Sequence, residues 1–182
     1  MCITGASGSI YGVEVLRHLR GERVLIISDH GKEVLRHETP YTPEQLAEFA
    51  DVMYENTQMD ADIASGSCLF DAVVVVPCSM NTLSKISYGV ADNLITRVAS
   101  IALKEGRKLV LVVRETPLST VHLEAMHRVA LAGATVLPAM PAFYHHPKSV
   151  EDLVKFVVGR ILDVLGVEHT LYHRWRTNPK SA

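Results

Sequence analysis

The sequence predicts a single α/β domain, with a three-layer, Rossmann-like (flavodoxin-like) parallel sheet and helices on both faces. Three observations lead to this fold class. Short apolar runs rich in β-branched residues recur along the chain, segments with helical spacing separate them, and 48% of the 182 residues are hydrophobic. Such alternation is typical of parallel strands joined by crossover helices. A chain of this length and hydrophobic content has enough apolar residues for one sizeable core.

The strands are predicted in chain order from these runs. The first is the short segment Met1 to Thr4, and its shortness leads us to expect a few residues upstream of this numbering. The later strands are Val24 to Ile27, Ala72 to Val76, Leu109 to Val113 and Thr135 to Leu137.

The helices are predicted from their start signals and their apolar stripes. Thr42 to Gln45 fits a capping box with proline in the first turn, and Ser149 is followed by acidic residues, as an N-cap often is. The predicted stripes are Leu94, Ile95, Val98, Ile101 and Ala102; Leu123, Met126, Val129 and Ala130; and Leu153, Phe156, Val157, Arg160 and Ile161.

We divide the chain into a domain at residues 1–166 and a C-terminal tail at residues 167–182. Within the tail, Tyr172 and Trp175 can anchor the segment either on its own fold or on a neighbouring subunit.

Composition excludes several classes of function. The net charge of −2 gives no field that would attract nucleic acid or an anionic membrane. The apolar runs are far shorter than the roughly 20 residues of a membrane helix. Three cysteines without a C-x-x-C pair support neither a disulfide framework nor a zinc site. We therefore expect no membrane or nucleic-acid partner, no metal and no secretory signal, and a cytoplasmic location.

Ligands of open parallel sheets bind at the carboxyl ends of the strands, so the residues after each run are candidates. The turn Gly5-Ala6-Ser7-Gly8 lacks the G-x-G-x-x-G spacing of dinucleotide sites, but its amides and helix start suit one phosphate monoester. The turn Ser79 to Thr82 has the same character. The alternative is that both are tight turns without a ligand.

Charged and aromatic side chains follow two other strands. Arg114 and Glu115 come directly after a buried run, where they either pair with each other or act on a ligand. The loop from Pro141 to Pro147 carries Tyr144 and two adjacent histidines, and either covers a flat apolar ligand or forms a rigid turn. No carboxylate stands at ligand spacing beside the histidines, so we expect no metal there.

Three isolated cations complete the candidates. Arg97 and Lys104 are seven residues apart on one predicted helix face, and Arg160 belongs to an otherwise apolar stripe. Such side chains are either solvated or converge on a phosphate.

Five motifs in order resemble the UbiX/Pad1 family of flavin prenyltransferases. They are Gly5-Ala6-Ser7-Gly8 with Tyr11-Gly12, Pro77 to Ser84, Asp92 to Arg97, Arg114 to Leu118, and Pro141 to Tyr144. The resemblance covers nearly the whole chain. It implies transfer of a dimethylallyl group from dimethylallyl monophosphate to N5 and C6 of reduced FMN, without a metal. The product would be prenylated FMN, the cofactor of UbiD-type decarboxylases.

The resemblance also implies roles for individual residues. Those expected to bind FMN are Gly5, Ala6, Ser7, Ser28, Ser79, Met80, Asn81, Thr82 and Arg114. Those expected to bind the dimethylallyl phosphate are Arg97, Lys104, Tyr144 and Arg160, and those expected in catalysis are Glu38, Glu115 and Lys104. The roles of Glu38 and Glu115 are not divided at this point. The family implies a homododecamer with the flavin at a subunit junction.

One departure from the family concerns an aromatic residue near the turn Ser65-Gly66-Ser67. Here the following residues are Cys68, Leu69 and Phe70, which leaves open whether Phe70 faces the allyl cation. Two other functions stay open as well, an FMN-dependent decarboxylase of cysteinyl thiols and a flavin-storage module.

Overall fold

The structure is a computed structural model that describes residues 1–175. Six parallel strands form one sheet in the order β3-β2-β1-β4-β5-β6. The strands are β1 (Cys2–Ile3), β2 (Val24–Ile27), β3 (Val52–Glu55), β4 (Ala72–Cys78), β5 (Lys108–Val113) and β6 (Thr135–Pro138). The direction of winding reverses between β1 and β4, which is where doubly wound sheets open a crevice at their carboxyl ends. The predicted fold class is confirmed.

Within residues 1–175, seven α-helices cover the two faces of the sheet. They are α1 (Ser9–His18), α2 (Asp29–Glu38), α3 (Pro43–Ala47), α4 (Met80–Ser87), α5 (Leu94–Lys104), α6 (Thr120–Leu131) and α7 (Val150–Leu165). Successive strand residues face opposite sides of a sheet. Accordingly Val74 and Val110 pack with α1 and α7, whereas Val75 and Leu111 pack with α4, α5 and α6. This produces the three layers that the sequence predicts.

Both predicted helix starts are confirmed in detail. Thr42 accepts a hydrogen bond from the Gln45 N–H, and the Gln45 side chain accepts one from the Thr42 N–H. Ser149 and Asp152 form the same reciprocal pair at the start of α7. These boxes satisfy amides that a helix cannot pair internally.

Two features of the fold differ from the sequence prediction. Strand β3 was not predicted, and it pairs with β2 from Val24 opposite Val52 onward. The stripe predicted for α6 is wrong at Leu123, which is 53% exposed, and at Ala130, which is exposed. Ala125 and Val129 are the buried residues of that helix, because the sheet lies under this narrower face.

The first part of the predicted tail folds back onto the domain. Helix α7 ends at Leu165, and Gly166 is its left-handed cap with φ 81°. Val167, Leu171 and Tyr172 then pack against the cluster formed by α1, α7 and the sheet. Tyr172 therefore anchors on its own fold, which is one of the two alternatives. The division into a domain and a tail stays a prediction, and residues 176–182 of that tail lie outside the described part.

Across residues 1–175, no helix combines the length and the apolar character that crossing a bilayer requires.

Candidate functional site

Three helices begin at the same edge of the sheet. Helices α1, α2 and α4 follow the carboxyl ends of the neighbouring strands β1, β2 and β4. The first amides of a helix have no partner within it and carry partial positive charge. This edge therefore brings together the residues predicted to bind FMN from these turns, namely Gly5, Ala6, Ser7, Ser28, Ser79, Met80, Asn81 and Thr82.

Thr4 joins two of these turns. Its hydroxyl donates to the Pro77 carbonyl over 2.9 Å and accepts from the Ser79 N–H over 2.8 Å. The Thr4 N–H also donates to the Pro77 carbonyl over 3.2 Å. Thr4 is buried, so these bonds are shielded from water. Sequence reasoning missed this residue, although a polar side chain at the end of a buried strand is a signal that could have found it.

Ser28 and Ser79 act as helix caps. The Ser28 hydroxyl accepts from the Gly31 N–H over 3.1 Å, and the Ser79 hydroxyl accepts from the Thr82 N–H over 3.3 Å. The Ser79 hydroxyl also donates to Thr82 Oγ1 over 3.1 Å. Capping therefore fixes both side chains at the carboxyl edge of the sheet, where β2 and β4 end.

Glu38 places a carboxylate at the start of α1. Although it is the last residue of α2, its Oε2 accepts from the N–H groups of Gly8 and Ser9 over 2.8 Å and 2.9 Å. Burial raises the pKa of Glu38, but hydrogen bonds from Ser7, Gly8 and Ser9 and the charge of Arg114 outweigh burial. The net effect lowers the pKa below its ordinary value, so Glu38 is ionised at neutral pH.

Arg114 lies over the first turn. Its Nε donates to the Ser7 carbonyl over 3.2 Å, which joins the end of β5 to the end of β1. Glu115 is exposed and accepts from the Thr116 N–H over 3.0 Å. Within the described residues, Arg114 and Glu115 do not form the ion pair that was one interpretation of their sequence. Both therefore remain open to a ligand.

Arg97 and Lys104 lie near opposite ends of α5, whose first residue, Leu94, donates its N–H to the Asn56 carbonyl just after β3. Arg97 donates to the Ala64 carbonyl over 3.0 Å. Lys104 pairs with Glu105 at the end of α5, close to the start of β5 at Lys108. Strand β5 runs about 20 Å from Lys108 to Arg114. Lys104 lies at the Lys108 end, so within one chain it does not reach the edge that carries Arg114.

Tyr144 and Arg160 belong to a third group, beside α7. The Tyr144 ring packs edge-on against Phe156, with centroids 5.7 Å apart, and Phe156 contacts Tyr172 at 4.9 Å. Arg160 is exposed rather than part of an apolar face, and it donates to Asp163 over 2.9 Å and to the Tyr172 hydroxyl over 3.4 Å. Arg160 and Phe156 line a cleft of about 310 Å³ between β6 and α7.

Phe70 has one ring face covered by a cation. The Arg107 guanidinium lies 4.3 Å from the Phe70 centroid and donates to the carbonyls of Cys68 and Gly66 over 2.6 Å and 2.8 Å. This arrangement holds the loop that follows Ser65 and places Phe70 at the amino edge of the sheet, just before β4.

Histidine 145 is stacked on Phe156 with centroids 5.1 Å apart and planes 10° apart. The loop around Tyr144 thus packs its rings on α7. Among residues 1–175, no group of three or more histidine, cysteine, aspartate or glutamate side chains is arranged to hold a metal ion.

The donors at the carboxyl edge fit the phosphate and polar groups of FMN. Helix-start amides and hydroxyls suit a phosphate monoester, and the Arg114 guanidinium has further N–H groups besides the one that binds Ser7. The Glu38 carboxylate occupies the first amides of α1, which leaves the starts of α2 and α4 as the helix ends open to an anion.

Comparison with known proteins identifies the family. A family model described as Flavoprotein matches residues 1–162. The flavin prenyltransferase UbiX of Methanothermobacter thermautotrophicus is 49% identical over 178 residues, covering 96% of this chain and 93% of the relative.

Two solved structures are also similar. AnUbiX, in complex with FMN and dimethylallyl pyrophosphate, is 43% identical with a TM-score of 0.94, over 96% of this chain and 95% of that one. A dodecameric FMN-dependent UbiX-like decarboxylase from Escherichia coli O157:H7 is 44% identical with a TM-score of 0.93, over 97% of this chain and all of that one. This chain therefore belongs to the Flavoprotein family, in its group of flavin prenyltransferases.

Proposed function

We propose that the protein transfers a dimethylallyl group to reduced FMN and so makes prenylated FMN, the cofactor of UbiD-type decarboxylases. The observation that carries the proposal is the convergence of three helix starts, Arg114 and an ionised Glu38 at one edge of the sheet. The reaction breaks the allylic C–O bond of the donor and releases phosphate. N5 of the flavin bonds to the allylic carbon and loses its proton. The double bond of the transferred group then takes up a proton, and its tertiary carbon bonds to C6, which loses its proton in turn.

The carboxyl edge binds and orients the flavin in this proposal. Helix α4 supplies its first amides and the capped Ser79 and Thr82 hydroxyls to the FMN phosphate, and Arg114 supplies charge. Thr4 keeps the turns after β1 and β4 at a fixed separation. Such fixed positioning favours attack because the reacting atoms need little further ordering.

Arg97, Lys104, Tyr144 and Arg160 bind the leaving phosphate, with Lys104 supplied by a neighbouring copy. A single chain holds Lys104 about 20 Å of strand away from Arg114, so a site containing both needs two copies. The E. coli relative, 44% identical, is dodecameric, which supports a homododecamer here. Cationic donors would stabilise the charge that develops on the departing phosphate.

Glu115 exchanges a proton with the departing phosphate, and Glu38 assists proton removal at the flavin. Glu115 suits transfer to a small ligand because it is exposed and makes only a local hydrogen bond. Glu38 is placed for this role because the amides of Gly8 and Ser9 hold its carboxylate at the start of α1.

We take dimethylallyl monophosphate as the donor, a UbiD-type decarboxylase as the recipient and the cytoplasm as the location. AnUbiX was crystallised with dimethylallyl pyrophosphate, so the diphosphate is the donor to compare. The absence of a strong net charge supports a small-molecule site without a nucleic-acid or membrane partner.

Anaerobic incubation of the purified protein with reduced FMN and each donor tests the proposal. Mass spectrometry should show a flavin heavier by one C5H8 unit, with stoichiometric release of phosphate from the preferred donor. A mixture lacking donor is the control. Unmodified flavin with both donors, from folded and FMN-loaded protein, would refute prenyl transfer.

A second candidate function is direct decarboxylation, since the E. coli relative is named a decarboxylase. A decarboxylase should release CO2 from an aromatic acid by itself. A cofactor-forming enzyme should support that reaction only after its product is passed to a partner enzyme, so the two candidates separate in one assay with and without the partner.

A further inference from the structure

Asp163 on α7 collects hydrogen bonds from four side chains. Three donors come from the segment that follows α7, which we call the return segment (residues 167–175). The Tyr172 hydroxyl donates over 2.6 Å, Arg174 over 2.5 Å and His169 lies at 3.0 Å. The fourth donor is Arg160, over 2.9 Å.

These contacts limit how strongly Asp163 can bind Arg160. A carboxylate has about four lone-pair positions, and a guanidinium has five N–H donors. Because the return segment takes most of the acceptor capacity of Asp163, Arg160 gives Asp163 only one N–H. The rest of the guanidinium, half-exposed, remains available at the cleft between β6 and α7.

Gly159 makes the docking of the return segment sterically feasible. A Cβ at this position would lie 2.5 Å from Tyr172 Cδ1 and 2.7 Å from His169 Cε1. His169 is 2% exposed in this position. Any larger residue at 159 would push both rings away from α7, and with them the donors to Asp163.

The return segment also reaches Tyr144. Trp175 packs edge-on against the Tyr144 ring with centroids 5.3 Å apart. The return segment therefore contacts both Tyr144 and Arg160, which are proposed to bind the phosphate of dimethylallyl monophosphate.

We propose that Asp163 is a positioning residue whose engagement by the return segment keeps Arg160 available to the donor phosphate. This inference rests on the proposed function, because it assigns Arg160 to the phosphate. When the segment leaves, the Asp163 carboxylate turns to Arg160 alone and binds it through two N–H groups, as arginine and aspartate commonly do. Arg160 is then withdrawn from the cleft.

Gly159→Ala tests the inference. Alanine is the better helix former, so α7 is retained while the return segment is displaced. The KM for dimethylallyl monophosphate should rise roughly tenfold, as for one lost charge-assisted hydrogen bond, with kcat and FMN affinity nearly unchanged. Tyr172→Phe keeps the ring but removes one donor to Asp163 and one acceptor of Arg160, which frees both groups for each other, so KM should rise in the same direction by less.

The double variant Gly159→Ala/Asp163→Asn distinguishes charge balance from simple loss of packing. Removing the carboxylate charge releases Arg160, so KM should return toward the wild-type value although the return segment is still displaced. A KM in the double variant as high as in Gly159→Ala would overturn the inference. Glu151→Gln, which removes an exposed charge elsewhere on α7, is the matched control and should leave KM unchanged.

A second readout does not depend on activity. Trp175 is the only tryptophan in the chain, so its fluorescence reports on the return segment. Acrylamide quenching should increase in Gly159→Ala. Unchanged quenching would show that docking of the segment does not require a residue without a side chain at position 159. If the wild-type protein forms no prenylated FMN, the proposed function fails, while the quenching experiment still decides whether the segment docks as described.

Discussion

Glu38 and Glu115 stand at the same edge of the sheet in different surroundings. Glu38 is anchored by the amides of Gly8 and Ser9 and has a lowered pKa, whereas Glu115 is exposed and bonds only to the Thr116 N–H. A carboxylate held by a helix start keeps its charge and position. One that is free to move can exchange a proton with a small ligand.

Substitution of Glu115 by glutamine should therefore separate chemistry from binding. Glu115→Gln keeps the shape and removes the proton-transfer group, so kcat should fall about 100-fold while the Kd for FMN stays nearly constant. Steady-state kinetics and flavin titration measure the two quantities. Exposed Glu124→Gln on α6 is the control. Equal loss of turnover and FMN binding would indicate a structural role for Glu115 instead.

The sequence predicted many of the polar residues at the carboxyl edge, because strand ends and glycine or serine turns are visible as local patterns. It missed Thr4, whose role depends on the distant partners Pro77 and Ser79. Asp163 was missed for a similar reason, since Tyr172 and Arg174 reach it only when the chain folds back. The proposed contribution of Lys104 to the site depends on a second copy of the chain, which local sequence patterns do not encode.

Among the strands and helices, the prediction was most accurate where the sequence pattern fits only one kind of element. The segments β4 and β5 are buried on both faces, and their continuous apolar runs of strand length predict strands without ambiguity. Strand β3 is a four-residue edge strand with Tyr54 and Glu55, a pattern that resembles a loop. Helix α6 carries apolar residues on two sides, and only the packed sheet determines which side is buried.

Helix α1 approaches the sheet closely at Gly12. A Cβ there would lie 2.6 Å from the Val76 carbonyl oxygen and 3.1 Å from Ile3 Cδ1. Backbone cannot move aside as a flexible side chain can, so the helix would have to shift.

Gly12→Ala should consequently destabilise the protein by about 1–3 kcal/mol, the range for overpacking a well-packed core. Urea denaturation measures the change. Gly66→Ala is the control, because its Cβ would meet only the ends of the Lys104 and Glu105 side chains. If Gly12→Ala proved as stable as wild type, α1 could move away from the sheet at little cost. The turn from Gly5 to Gly8 that precedes α1 would then not be a rigid part of the flavin site.

At the scale of the whole molecule, stability should depend on pH through Asp163. Burial alone would raise the pKa of Asp163. Hydrogen bonds from Arg174, Tyr172 and His169 outweigh burial, so the pKa lies below its ordinary value. A carboxyl whose pKa is depressed on folding stabilises the native state above its unfolded pKa of about 3.9. That contribution is lost as pH falls below this value toward the folded pKa.

Urea midpoints of wild type and Asp163→Asn across pH should show this dependence. The difference between the two proteins should be largest from about pH 5 to pH 7 and shrink below about pH 4. A difference that stays constant with pH would mean that the charge of Asp163 does not contribute. Exposed Asp60→Asn removes the same charge type and controls for net charge.

The proposed sharing of the site between copies predicts complementation between inactive variants. Lys104→Ala and Arg114→Ala should each lose most activity, and a co-expressed one-to-one mixture should regain about a quarter of wild-type activity, because random assembly joins intact partners at that frequency. Prenylated flavin formation measures it. A mixture of Arg114→Ala and Glu115→Gln should show no recovery, since both residues belong to the same chain's edge. Recovery in neither mixture would refute the sharing of the site between copies, since it would mean that Lys104 and Arg114 act within one chain.

Strands β3 and β6 form the two borders of the sheet, and each offers only four residues. Exposed borders are where separate molecules can add strand to strand and grow into fibrils. Borders this short give an incoming strand few amides to pair with. Contacts between copies of this protein are therefore expected to form through helices and loops rather than by strand-to-strand addition.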